Sequence, residues 1–372
     1  VRSRHHHDPG QPLLHPGGHR PVTALSLLLP VLPVAVDVPW GLIVAIKTGV
    51  VLAIIPAGAL ILGYVFLLKM MSHMQSRLGP MDPGGFHGWF QLIGDGIKFI
   101  QKEDIIPAQA DRRVFAAAPV VVLISTFLLY IVVPAGPRLV VADLDAGVFY
   151  ALAVSSLSVV GILMAGWASA NKYALLGALR AAAQLIAYEL PLVLAVVGVI
   201  IQAGTMSLQG IVYAQQDGAI FGWDFFGNPF ILTQFVGFVI FLIAAQAELT
   251  QTPFDMPVAE SELVAGYMVE YTGFRFLFFF MGEFGTAFAF AGIAATLFLG
   301  GWSVPWVHGT LADVLGPIVL FIKIMLVSFL IFWVRFTYPR FREDQLQAIA
   351  WKYLIPLSLL NILATGIFKV VL

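Results

Sequence analysis

Glu248, Asp255, Glu260, Glu262 and Glu270 fall within a single stretch, AELTQTPFDMPVAESELVAGYMVEYTGFR from Ala247 to Arg275, with no Lys or Arg before Arg275. The carboxylates are interleaved with Val, Leu, Pro, Tyr and Phe, and apolar runs flank the stretch on both sides. Carboxylates in that setting are packed inside protein near a membrane, where burial is expensive and the groups are usually functional. The chemistry open to them is proton uptake and release. In a low-dielectric cluster their pKa values rise, and they titrate as a coupled set.

A second polar group lies in WASANKYALLGALRAAAQLIAYELP, residues 167–191. Arg180, Gln184 and Tyr188 recur every four residues and form one stripe on a helix. Glu189 sits roughly 100° further round and roughly 12–15 Å into the apolar run, and Pro191 frees the carbonyl of Ala187. A carboxylate at that depth reads as functional, with a structural ion pair to Arg180 as the plain alternative. Glu283 and Lys323 also lie in apolar runs. Both suit paired structural charges, though Lys323 has no obvious partner and is a candidate relay element. The run FLFFFMGEF reads as lipid- or partner-facing bulk.

These residues need apolar elements to hold them, and the composition supplies them. Over 372 residues, 59% are hydrophobic, 11% are charged, and mean hydropathy is +0.90. Roughly a quarter of residues are charged in soluble globular chains, so the fold class is an all-α polytopic membrane protein. Eight spanning helices are expected near 42–68, 114–134, 147–168, 181–203, 229–247, 276–299, 312–334 and 353–371, each about the 20 residues a bilayer requires. A net charge of -1 gives no basis for nucleic-acid binding. With no Cys there are no thiolates for iron–sulfur clusters, and no phosphate-cradling Gly loop or HExxH motif is present.

Residues 1–40, rich in Pro, Gly and His, read as a disordered extension whose His5–His7 run binds metal only adventitiously; residues 41–372 form the membrane domain. The odd-numbered connections hold thirteen Lys or Arg residues, from Lys69 to Lys352, and the even-numbered ones hold only Arg138. This places the odd connections in the cytoplasm and both termini outside. Two of those connections are long, 69–113 and 248–275. Within the first, Leu92, Ile93, Ile97, Phe99 and Ile100 form one face of a helix and Asp95, Lys98, Gln101 and Lys102 the other. The segment is an amphipathic helix in the interface plane, serving as an anchor or as a wall of an entry site for an amphiphile.

RLGP at 77–80, QLIGDGIKFIQKEDIIPAQAD at 91–111, GWASANKYALLGALRAAAQLIAYELP at 166–191 and AELTQTPFDMPVAESELVAGYMVEY at 247–271 together resemble the quinone-module membrane subunit of respiratory complex I, which is the H subunit of the bacterial enzyme and subunit 1 of the mitochondrial one. The likeness covers about residues 42–371. It implies a heel subunit in the inner cell membrane that forms much of the quinone tunnel. The peripheral arm would dock on its cytoplasmic loops and antiporter-like subunits would pack beside it, while FMN and iron–sulfur clusters belong to partner subunits. The activity implied is that of a proton-pumping NADH:quinone translocase using ubiquinone or menaquinone, with no redox centre on this chain. By motif position, Glu189, Glu248, Asp255, Glu260, Glu262 and Glu270 fit proton coupling, and Arg180, Tyr267 and Arg275 fit its polar lining. Arg77, Gln91, Asp95 and Lys98 fit the tunnel mouth.

Two departures stand near that mouth. Leu67 and Leu68, followed by Lys69, replace a Glu–Arg pair of the family, and Met81–Asp82 replaces Asn–Arg. The alternatives are a homologous subunit of a membrane-bound hydrogenase or other-donor oxidoreductase, and a stand-alone proton channel or secondary transporter. The last would tend to show internal repeats, and the acidic pattern is not repeated elsewhere in the chain.

Overall fold

The computed structural model describes residues 40–216, 228–304 and 310–371; the extension expected over 1–40 lies, apart from Trp40, outside them. The chain divides at residue 45, and the unit from Ile46 onward carries everything below except the first turns of α1. Every regular element among the described residues is helical. Among the described residues seven helices are long and apolar enough to cross a membrane, and the fifth of the eight expected spans, 229–247, holds a shorter apolar helix, Phe235–Glu248.

The first span, α1 (Trp40–Leu62), continues through a π-helical stretch at Gly63–Met70 to Met74, beyond the expected end at 68. The amphipathic helix α2 (Gln91–Gln101) forms as expected and buries none of its residues completely. It lies close to α1, since a Cβ at Gly63 would meet Leu92 at 3.0 Å. Asp111 caps α3 (Arg112–Leu129), accepting from the backbone N–H groups of Arg113 and Val114.

The third span is broken at Ser156 into α4 (Gly147–Ser155) and α5 (Leu157–Ala168). The hydroxyls of Ser155, Ser156 and Ser158 each donate to a carbonyl three residues back at 2.8 Å. Such local bonds compete with the helical ladder.

The fourth span, α6 (Lys172–Ala203), starts nine residues before the expected 181, under an Asn171 cap, and ends at Gly204 with φ +74°. Its extra turns carry Lys172 and Arg180 at their two ends, and Gly177 between them lies against the acidic loop. After α7 (Leu208–Gln216), the fifth span comes in two pieces. A helical turn at Phe230–Thr233 meets α8 (Phe235–Glu248) at Gln234. The Gln234 side chain donates to Thr365 Oγ1 at 2.7 Å and accepts from Asn361 at 2.9 Å, pinning the break to the last span. The remaining spans are α9 (Gly273–Phe298), α10 (Thr310–Thr337) and a last one built from α11 (Glu343–Ala348), a π-helical stretch (Ile349–Leu354) and α12 (Ile355–Val371).

At the end away from the acidic loop, cationic side chains tie the connections down. Lys47 Nζ donates to Val141 O at 2.8 Å, and Lys323 Nζ to Gly301 O at 2.8 Å and Ser303 O at 3.0 Å. Lys323, which has no evident partner in sequence, thus holds the carbonyls that follow α9, a stabilising place for a cation.

At the other end, the acidic loop lies directly on α6. A Cβ at Gly177 would stand 2.7 Å from Gly266 Cα and 2.8 Å from Tyr267 N, and Gly266 itself has φ +53°. Gly177→Ala therefore forces backbone apart and is expected to destabilise by roughly 1–3 kcal/mol. A lowered melting temperature of the detergent-solubilised protein would register it. Gly94→Ala on α2, where a Cβ meets nothing within 4 Å, should leave that temperature unchanged or slightly higher.

Candidate functional site

The stripe read on α6 faces the acidic loop along its whole length. Arg180 Nη1 donates to Glu262 Oε2 at 2.6 Å and its Nε lies 3.9 Å from Glu343. One turn on, the fully buried Gln184 donates to Ala247 O and Phe254 O, both at 2.8 Å. A further turn on, Tyr188 donates to Leu346 O of α11 at 2.9 Å. The fourfold spacing thus hangs the start of the loop, its middle and the final span from one helix face. Arg180 engages Glu262 and Glu343 rather than Glu189.

Two further arginines, from the end of α10 and the turn after it, grip the loop. Arg340 donates to Asp255 Oδ2 and Ser261 Oγ, both at 3.1 Å, and the neighbouring Phe341 N–H donates to Pro253 O at 3.1 Å. Arg335 Nη1 donates to Gln251 Oε1 at 2.5 Å and lies 3.4 Å from Glu283 Oε1. Gln251 Nε2 completes the triangle by donating to Glu283 Oε1 at 2.7 Å. The Arg335 guanidinium sits 5.9 Å from each of the Phe284, Phe332 and Phe336 ring centres, within cation–π range of all three.

Two carboxylates on the helices beside the loop, one ending α8 and one within α6, lack such a counter-ion. Glu248, the last residue of α8, has a buried Oε2 with no hydrogen-bond partner, and the buried Gln184 Oε1 is likewise unpartnered. Glu189, half-buried on α6, makes no hydrogen bond or ion pair among the described residues and acts on Glu248 as a like charge. Glu260 is exposed and also unpaired among them, but contributes to the field at Asp255.

Burial pushes the Asp255 carboxyl above its ordinary value, and Glu260 adds to the rise; Arg340 and Arg335 oppose it without cancelling it. Tyr267 is buried against Phe279 and its phenol is raised by burial first, then by Glu283 and Asp255.

Not every residue expected in the site joins this cluster. Glu270 accepts from Asn171 Nδ2 at 2.6 Å and lines an open hollow with Lys172, Tyr173 and Gln109 at the start of α6. Arg275 pairs with Asp104 at 3.2 Å over the Phe115 ring, with Nη1 buried and unpartnered. Gln91 and Lys98 both bond to Asp95 on the surface of α2, and Arg77 bonds to Gln75 in an exposed turn. Lys69 Nζ donates to Pro80 O, tying the end of the π-helical stretch to the segment that follows the Arg77 turn.

The cluster also contains residues that the sequence did not mark as site groups. Arg335 and Arg340 count there only as charges near a membrane boundary, Glu283 as a structural charge, and Gln251 not at all. The available signal was Glu283 in an apolar run with Arg335 at the end of the next one, a pairing that hydrophobic periodicity cannot reveal.

The profile of the NADH dehydrogenase family matches residues 29–366 of this chain. The chain belongs to the NADH dehydrogenase family. Among curated relatives it is 45% identical to the NADH-quinone oxidoreductase H subunit of Anoxybacillus flavithermus over 322 residues, 86% of this chain and 92% of that protein. The corresponding H subunits of Geobacillus kaustophilus (46%) and Bacillus thuringiensis subsp. konkukian (44%) match over 301 residues, 81% of this chain and 86% of each relative. Within this family the acidic loop, α6 and the turn after α10 all lie inside the matched region.

Arg340→Met leaves Asp255 without its counter-ion and is expected to destabilise by on the order of 2 kcal/mol. The Asp255 pKa is already raised in the folded protein, so its contribution is favourable at low pH and lost as pH rises from its ordinary value of 3.8 through the raised folded value. Removing Arg340 raises it further. The melting temperature of Arg340→Met should therefore fall more at about pH 8 than at about pH 5. Adding Asp255→Asn should abolish that difference.

Proposed function

We propose that this chain is the quinone-module membrane subunit of a proton-translocating NADH:quinone oxidoreductase, and that it passes protonation changes from quinone chemistry into the membrane through buried carboxylates. The names of the relatives support the assignment to that enzyme. The observation that carries the mechanism is the pair of carboxylates without counter-ions, Glu248 and Glu189, beside three that arginines hold.

The division assigns roles. Asp255, Glu262 and Glu283 lie next to Arg340, Arg180 and Arg335, and these pairs anchor the loop and the helix beside it. Glu248 and Glu189 have no such partner, so each is stable in the membrane only with a proton or a water, and a proton on one favours charge on the other. Two orphan acceptors, Glu248 Oε2 and Gln184 Oε1, leave room for a proton held on the Glu248 carboxyl or for a bridging water.

Reduction of a quinone to a quinol takes two electrons and two protons. The electrons would come from NADH through FMN and iron–sulfur clusters on partner subunits, since this chain has no Cys to ligate a cluster. A quinone would enter along α2, whose Phe99 ring lies 5.5 Å from that of Phe276 of α9, tilted by 33°. Arg275, with a buried N–H and no acceptor, would then be a donor to a passing carbonyl. Gln91, Asp95, Lys98 and Arg77 would form the outer rim. Glu260, exposed and unpaired among the described residues, would receive the charge change first, with Tyr267 and Glu270 flanking the route. The acidic-loop end would face the cytoplasm, as the distribution of Lys and Arg supports. There it would meet the peripheral arm, with antiporter-like subunits alongside in the bilayer.

Glu248→Gln and Glu189→Gln each remove a titratable group while keeping shape. In the assembled enzyme, proton uptake into inverted membrane vesicles should fall by about tenfold, equivalent to roughly 1.4 kcal/mol, with a smaller loss of NADH:quinone reduction. An unchanged proton-to-electron ratio in both variants would rule the coupling role out.

A further inference from the structure

Gln251 stands where three elements meet. It is 1% exposed, in the first turn of the acidic loop, and its amide reaches Arg335 of α10 on one side and Glu283 of α9 on the other. A guanidinium only donates, so the amide turns Oε1 towards Arg335 and is left with Nε2 to donate. Nε2 then needs an acceptor, and Glu283 Oε1 supplies it at 2.7 Å while also facing Arg335 at 3.4 Å. The orientation of the amide follows from the charges around it.

This triangle is held at full strength only while Glu283 is a carboxylate. A proton on Oε1 turns that oxygen into a hydroxyl, a weaker acceptor that also brings a hydrogen towards the two donors. A proton on Oε2 leaves a neutral carbonyl that holds both amide and guanidinium less strongly than a charged oxygen does. The groups that set the charge of Glu283 are Arg335 from α10, and Asp255 from the loop with Arg340 behind it; the Tyr267 phenol lies in the field of both carboxylates. Gln251 also lies three residues from Glu248, in the turn that closes α8. Its own backbone holds that turn, with Gln251 N donating to Gln246 O at 3.2 Å and Phe254 N donating to Gln251 O at 2.8 Å.

We propose that Gln251 is a positioning residue that makes the seating of the acidic loop depend on the ionisation of Glu283. With Glu283 charged, the amide is gripped between two opposite charges. When Glu283 takes a proton, the loop is released at Gln251 and the turn carrying Glu248 moves with it. Glutamine suits the place because its amide offers a donor and an acceptor on one neutral side chain. This rests on the proton-coupling role proposed for Glu248 and Glu189, and gives that role a mechanical link to a third carboxylate.

The test uses the whole complex in its membrane, with Gln251→Leu, Glu283→Gln and the double variant. Backbone hydrogen–deuterium exchange is followed over residues 249–256, alongside the proton-to-electron ratio. Each single variant should speed exchange at Phe254 and its neighbours by roughly tenfold, and the double variant should exceed neither, because both changes cut the same contact. Unaltered exchange in Glu283→Gln, or additive effects in the double variant, overturns the proposal even if the ratio falls. Faster exchange with a wild-type ratio supports the latch and overturns the coupling role instead. If Gln251→Leu does not assemble, Gln251→Glu keeps the shape and replaces the donor with a second anion. It should speed exchange at about pH 8 and return towards wild type at about pH 5, and exchange indifferent to pH there counts against the latch.

Discussion

A carboxylate taken out of water must be given a counter-ion, a donor or a proton, and the acidic loop depends on how those are distributed. Arg180 and Arg340 pair with the loop carboxylates Glu262 and Asp255, and Arg335 holds the loop's Gln251 while pairing with Glu283 of α9, so the same contacts that balance charge also fix the loop's position. The loop has almost no regular structure of its own between Leu249 and Thr272. Its backbone is held instead by Gln184, Phe341 and the close approach at Gly177. Electrostatics and packing therefore act at the same places. Glu248 and Glu189, at the end of α8 and within α6, receive no arginine, and the proposed proton-coupling role rests on them.

The membrane class and most of the spans are legible from apolar runs, because hydrocarbon imposes a length on any helix that crosses it. The starts of spans are less legible. Lys172 and Arg180 mark a boundary only on the assumption that polar side chains leave the bilayer, whereas here they belong to a helix that continues along a protein surface. The Arg180–Gln184–Tyr188 stripe is visible because its spacing is local. Its partners are not, since they come from residues 60 or more positions away.

Sequence proximity misleads in the same stretch. Glu270 and Arg275 lie close to Glu260 and Glu262 in the chain, yet Glu270 bonds to Asn171 at the start of α6, and Arg275, beyond the turn into α9 at Gly273 with φ +57°, pairs with Asp104. Arg335 and Arg340 read in sequence as charges without directions. Gln251 is neutral and carries no mark there, although only a neutral group with both a donor and an acceptor can sit between Arg335 and Glu283. Long-range pairing of this kind is set by tertiary packing and leaves no period in the sequence.

The first and last spans both widen into π-helical stretches, Gly63–Met70 and Ile349–Leu354, on the side of the bundle that holds the acidic loop. A π turn carries an extra residue and is more readily rewound than an α turn, which is why such turns gather at working parts of helices. The opposite side is stitched by Lys47, Lys323 and the Gln215 amide donating to Thr296 O. Both spans therefore carry, next to the loop, turns whose hydrogen bonding departs from the α-helical ladder that continues them through the bundle.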